Sequence, residues 1–206
     1  MLTTKNTTIV NDCFTWVKDK VLPGDFCKHI IEKFENNIHL AEQGETGNGL
    51  DLNTKKSLDL CISRWEDWKE ENKYMQDSLR SCVAEYQNFT QQTKRKSFVT
   101  GEDYHFAPPY KMYKDTGFQI QKTEAGEGFT WHSDGYAGRV LTYIFYLNTV
   151  DEGWTQFHNG DQIAPETGKV LIFPADWTYF HQGYPPKQTK YIMTGWLVNY
   201  DNSFDL

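Results

Sequence analysis

The spacing of hydrophobic residues changes once along the chain, and the change divides it into two unlike halves. Phe26, Ile30, Ile31 and Phe34 recur at helical intervals, which predicts an amphipathic helix capped by Asp25 and ending near Asn36 and Asn37. A second helical block is expected over residues 57–94, with a break near Asn72. Its apolar stripe is Leu58, Ile62, Trp65, Tyr74, Met75, Leu79, Val83 and Tyr86. Trp65 and Trp68 are expected to pack against a sheet. Lys94, Arg95 and Lys96 read as a solvated helix end, where positive charge complements the macrodipole. Residues 9–17 read as an edge strand and 43–49 as a turn-rich loop. Residues 101–114 form an irregular aromatic stretch whose prolines exclude a regular helix. From Phe118 onward, β-branched and aromatic runs alternate with Gly, Pro, Asn and Asp. Strands are predicted near 118–123, 129–132, 139–147, 155–157, 169–173, 178–181 and 190–199. Many short strands with helices only before them give a mainly β (α+β) chain, a sandwich or jelly roll.

Composition narrows the partners. At 206 residues the chain suits one domain, spanning 1–206, with 1–100 as a helical support region and 101–206 as the β core. A net charge of −7 disfavours a nucleic-acid partner, which calls for a basic face. No stretch has the length of a membrane span, and the N-terminus carries no apolar signal region. Cys13, Cys27, Cys61 and Cys82 show no CxxC spacing, so they read as reduced thiols of a cytoplasmic protein rather than a zinc site. The pattern carries no signal for oligomeric state.

The chemistry concentrates between Phe129 and Asn148. His132 and Asp134 are separated by one residue, and residues two apart on an extended chain share a side. An imidazole and a carboxylate can therefore meet at one point, two thirds of the 2-His-1-carboxylate set that binds non-heme Fe(II) and leaves open positions. Only His158 and His181 follow. His158 lies in a Phe-His-Asn-Gly turn typical of a solvated loop, whereas His181 follows the strand-like run 170–173 and a Pro-Ala-Asp turn. His181 is the favoured third ligand.

The ordered set His132-x-Asp134, the run from Arg139 to Asn148, Gly153-x-Thr155-x-Phe157, His181 and Lys190 resembles the Fe(II)/2-oxoglutarate oxygenases of the prolyl 4-hydroxylase type. The resemblance covers about residues 118–200, under half of the chain. It implies a double-stranded β-helix (jelly roll) with N-terminal helices packed on one sheet. It also implies Fe(II), 2-oxoglutarate and O2, with ascorbate as a reductant. His132, Asp134 and His181 would be the catalytic metal ligands. Lys190, nine positions after His181 (190 − 181), would grip the far carboxylate of the co-substrate, helped by Tyr146, Thr155 and Thr142. Lys187 follows two prolines and belongs to a loop. Arg139 and Trp196 would face the substrate. The implied reaction hydroxylates a C–H bond with release of succinate and CO2, on a peptidyl proline or other protein side chain. The aromatic stretch 104–113, with Tyr136 and Trp177, would supply a peptide groove or a cover for a small molecule.

The sequence departs from that pattern at three places. Thr123 stands where Tyr is usual, Glu152-Gly153-Trp154 replaces Gly-Gly-acid, and the interval from His181 to Lys190 is one residue short of the frequent one. Competing readings are an oxygenase of small metabolites, a cupin-like metal enzyme that does not use 2-oxoglutarate, and a jelly-roll binding module without turnover. Lys190 separates the first from the second, and the complete ligand set argues against the third.

Overall fold

The computed structural model describes residues 7–9, 14–92, 94–96, 98–105 and 113–199. In chain order the elements are β1 (Thr7–Ile9), β2 (Trp16–Lys18), α1 (Gly24–Asn36), β3 (Glu42–Gln43), β4 (Leu58–Cys61) and α2 (Lys69–Gln92). β5 (Lys94–Lys96), β6 (Asp103–His105), β7 (Tyr113–Asp115), β8 (Gln119–Thr123), β9 (Phe129–His132) and β10 (Arg139–Tyr146) follow. The chain closes with β11 (Thr155–Phe157), β12 (Gln162–Ile163), β13 (Val170–Pro174), β14 (His181–Gly183) and β15 (Lys190–Asn199). The major sheet runs β1-β2-β13-β10-β15-β8-β4-β3, with β7 also on β15, and the minor sheet runs β12-β11-β14-β9. β5 and β6 pair separately. This is a double-stranded β-helix with helices on one sheet.

Strand alternation divides the interior into two cores. On β10, Leu141, Tyr143 and Phe145 join α1 and α2 in the larger core, while Ile144 and Tyr146 turn to the space between the sheets. β13 repeats the division, with Val170 and Ile172 on the helical side and Leu171 and Phe173 on the other. Both faces of these strands are covered, so their sequences read as unbroken apolar runs. Cys27, Ile30 and Phe34 from α1 and Met75, Leu79, Cys82 and Tyr86 from α2 fill the helical side. Each such side chain contributes on the order of 1.5–3 kcal/mol on burial. Phe157 and Ile163 bring the minor sheet into the second core.

Several local expectations are corrected. α1 starts after Pro23 with no side-chain cap; Asp25 lies inside its first turn, where its charge still suits the helix N-terminus. The second helical block starts late, because residues 58–61 form β4. There Leu58 and Leu60 alternate into the helical core while Asp59 points the other way. Ile62 and Trp65, at helical spacing beyond it, mask this two-residue period. α2 continues through Asn72, since an interior Asn costs at most ~0.7 kcal/mol against Ala. Trp68 is buried as expected, with the Lys33 ammonium 4.7 Å from its ring centroid, but Trp65 is 43% exposed. Lys94–Lys96 is a strand, not a helix end. Residues 177–179 form a 3-10 turn, so β14 begins only at His181. The expected strand over 9–17 divides between β1 and β2. In the aromatic stretch, 103–105 and 113–115 are strands, while 106–112, on which the groove expectation chiefly rested, lie outside the described residues. Cys27, Cys61 and Cys82 are free thiols, and Cys13 lies outside the described residues. Among the described residues no helix is long and apolar enough to cross a membrane.

Candidate metal and co-substrate site

Between the sheets, β9 delivers His132 and β14 delivers His181, and the two are cross-strand partners. Residues directly opposite on antiparallel strands share a face. Their ring centroids accordingly lie 4.3 Å apart at 55°. Asp134, two residues after the end of β9, turns into the same space. Its Oδ1 is 3.7 Å from His132 Nε2, and its Oδ2 is 3.8 Å from His181 Nε2. One ligand atom from each of the three residues lies within 4.8 Å of the others.

Hydrogen bonds prepare these donors. His132 Nδ1 is 2.8 Å from the Thr130 carbonyl, and His181 Nδ1 is 2.9 Å from the Tyr179 carbonyl. A carbonyl only accepts, so each Nδ1 carries the proton and each Nε2 keeps its lone pair free. Thr142 Oγ donates to Asp134 Oδ2 at 2.7 Å, which fixes the carboxylate. Burial is the largest influence on His132; with the neighbouring His181 it holds the pKa down to about 4, so the ring is neutral. Burial alone would raise the Asp134 carboxyl. The two histidines, Thr142 and the Trp196 indole outweigh it, and the carboxyl stays below its ordinary range. Two imidazoles and one carboxylate fit a ferrous ion.

Across the same cleft sits Lys190, at the start of β15 and 5% exposed. Its ammonium donates to the Gly153 carbonyl at 2.8 Å and, among the described residues, meets no carboxylate. Burial lowers its pKa to about 8. Gly153 is required here: φ is +68°, and an added Cβ would stand 2.9 Å from Pro186 Cβ. Thr155 and Thr123 line the cleft near Lys190, and Thr123 is its cross-strand partner. Tyr146 is fully buried and donates to Thr155 Oγ at 2.7 Å, orienting that hydroxyl. At the other end, the Arg139 guanidinium lies 3.5 Å from the Trp196 ring centroid. The buried Trp196 indole N–H faces the Asp134 carboxylate, outside strict hydrogen-bond geometry.

The structure therefore brings all nine residues singled out from the sequence to one cleft or its immediate surround. His158 is exposed and bonded to the Thr178 carbonyl, and Lys187 pairs with Glu152 at the surface. Sequence reasoning missed Gln121, Phe129 and Thr194, which also line the cleft. The polar alternation Gln119, Gln121 and Thr123 on β8 carried the signal for the first.

The family model of the 2OG-Fe(II) oxygenase superfamily matches residues 118–198, the stretch that holds His132, Asp134, His181 and Lys190. Those residues are a 2OG-Fe(II) oxygenase domain. The protein is thus a 2-oxoglutarate- and Fe(II)-dependent dioxygenase, with Fe(II), 2-oxoglutarate and O2 as its requirements. Solved structures share the fold of this oxygenase over nearly its full length. A prolyl hydroxylase of Trichoplax adhaerens, in complex with a hypoxia inducible factor peptide fragment, is 18% identical with a TM-score of 0.67, covering 92% of this chain and 85% of its own. A viral collagen prolyl hydroxylase of Paramecium Bursaria Chlorella virus-1, with 2OG, is 18% identical with a TM-score of 0.60, covering 89% and 95%. A Pseudomonas putida prolyl-4-hydroxylase is 15% identical with a TM-score of 0.63, covering 90% and 92%. No curated protein matches the chain.

Proposed function

We propose that His132, Asp134 and His181 hold Fe(II), that Lys190 binds the far carboxylate of 2-oxoglutarate, and that the substrate is a peptidyl proline. The observation that carries the co-substrate assignment is Lys190, a buried ammonium on the same cleft as the triad with no carboxylate partner among the described residues. A buried cation is costly alone and favourable once an anion and further hydrogen bonds meet it. Thr155, oriented by Tyr146, supplies one such bond, and Thr123 offers a hydroxyl in place of the usual Tyr. A cupin-like enzyme that does not use 2-oxoglutarate would have no need of this ammonium.

When bound, iron supplies the O2 chemistry that couples conversion of 2-oxoglutarate to succinate and CO2 with hydroxylation of a C–H bond. The residues do the positioning. Backbone bonds to both Nδ1 atoms aim the imidazoles, and Thr142 sets the carboxylate plane. Arg139, held over the Trp196 ring, offers N–H donors to a substrate carbonyl. The peptide reading draws on the structural neighbours, all named as prolyl hydroxylases and one in complex with a peptide. Succinate release measured over proline-containing peptides and small metabolites tests it. A gain of one oxygen atom on a proline supports the proposal. Turnover confined to free metabolites refutes the peptide substrate.

A further inference from the structure

Lys55 and Asp59 form an ion pair at 2.5 Å with side chains only 6% and 5% exposed. Asp59 also accepts from Ser57 Oγ at 2.8 Å and from Gln119 Nε2 at 3.1 Å. Gly44 closes over the pair so tightly that a Cβ there would be 2.3 Å from Ser57 Oγ and 2.8 Å from Lys55 Cε. Such a pair adds little to stability compared with apolar side chains of similar volume. Its placement is more informative. The segment carrying Lys55 is laid along the edge of β9: Lys55 bridges Phe129, Lys56 N–H donates to the Gly128 carbonyl at 2.9 Å, and Thr130 N–H donates to the Thr54 carbonyl at 2.9 Å. The Lys55 ammonium then stands 5.5 Å from the Phe129 ring centroid. Phe129 in turn lies flat on His132, with centroids 3.5 Å apart and planes 10° from parallel.

We infer that Phe129 is a positioning residue for His132, and that Lys55, fixed by Asp59, holds Phe129 against it. The inference rests on the reading of His132 as a metal ligand. The single hydrogen bond from Nδ1 to Thr130 leaves the imidazole free to tilt about that bond. A parallel ring on its face removes the tilt and so fixes the direction of the Nε2 lone pair. The attraction of the ammonium for the ring keeps Phe129 in place. The N-terminal half of the chain thereby contributes to the metal centre through two contacts, although none of its residues is among the three ligands.

The test uses the full chain with Co(II) as the metal, read by chelator competition and by the d–d absorption of the bound ion. Phe129→Leu removes the flat face and Phe129→Tyr keeps it; Lys55→Met removes the charge and Lys55→Arg keeps it. Phe129→Leu is expected to weaken Co(II) binding by about 10-fold or more and to alter the d–d spectrum, the size usual for support behind a ligand. Phe129→Tyr and Lys55→Arg should restore both, with Lys55→Met changing them in the same direction as Phe129→Leu. Unchanged affinity and spectrum in Phe129→Leu overturn the inference, whether that variant shows only a lower melting temperature or only a higher KM. If wild type binds Co(II) and His132→Ala abolishes binding, that failure is of this inference alone. If His132→Ala binds Co(II) like wild type, the ligand reading itself fails.

Discussion

Replacing Lys190 with Met separates a co-substrate anchor from a structural lysine, because the two roles predict opposite signs. Burial takes the Lys190 pKa from 10.5 to about 8. At neutral pH the native protein still carries the charge, and the drop corresponds to a cost of about 3 kcal/mol. For a lysine whose folded pKa is depressed, that cost is fully present below about pH 8 and fades as the pH rises toward 10.5. Met removes it, at the loss of the charge-assisted bond to the Gly153 carbonyl, about 1.5 kcal/mol. The variant without ligands should therefore be more stable by roughly 1–2 kcal/mol at pH 7, seen as a melting temperature higher by a few degrees. Its 2-oxoglutarate affinity should fall at the same time. Truncating one side of a buried charge pair costs about 2–5 kcal/mol, at least ~30-fold in Kd. Calorimetry on Mn(II)-loaded protein measures this, and Mn(II) affinity itself should hold within about twofold, well under 1 kcal/mol. Equal loss of metal and co-substrate binding, or a less stable variant, would refute the reasoning.

Two further outcomes follow from the same cleft. With metal saturating, 2-oxoglutarate binding should be flat below about pH 8 and then weaken toward tenfold per pH unit as Lys190 loses its proton, whereas Lys190→Arg should stay flat across this range; isothermal titrations from pH 6.5 to 9.5 decide it. Thr142→Val removes the 2.7 Å donor to Asp134 and should weaken metal binding about 10-fold, measured by chelator competition, with little change in melting temperature.

The parts legible in the sequence were those whose cause is local. The runs in β10 and β13 are apolar on both faces because both faces are covered, and they stand out without any partner known. His132 and Asp134 announce themselves because their two-residue spacing is itself the geometry. β4 was hidden since its alternation covers only four residues and runs straight into residues at helical spacing. Phe129 looked like one more strand aromatic. Its stacking on His132, and the Lys55–Asp59 pair behind it, depend on an edge pairing between segments more than seventy residues apart (129 − 55 = 74). That the Tyr146 hydroxyl donates to Thr155 is a matter of side-chain packing, which the pattern of the strand does not carry.

Anaerobic titration of the protein with Fe(II) and 2-oxoglutarate, followed by visible absorption, tests the metal assignment most directly. A weak charge-transfer band should grow to saturation at one equivalent of iron and be absent from His181→Ala. A wild-type protein that binds both ligands and shows no band, or a His181→Ala variant that shows the same band, would contradict the assignment of His132, Asp134 and His181 as the iron ligands.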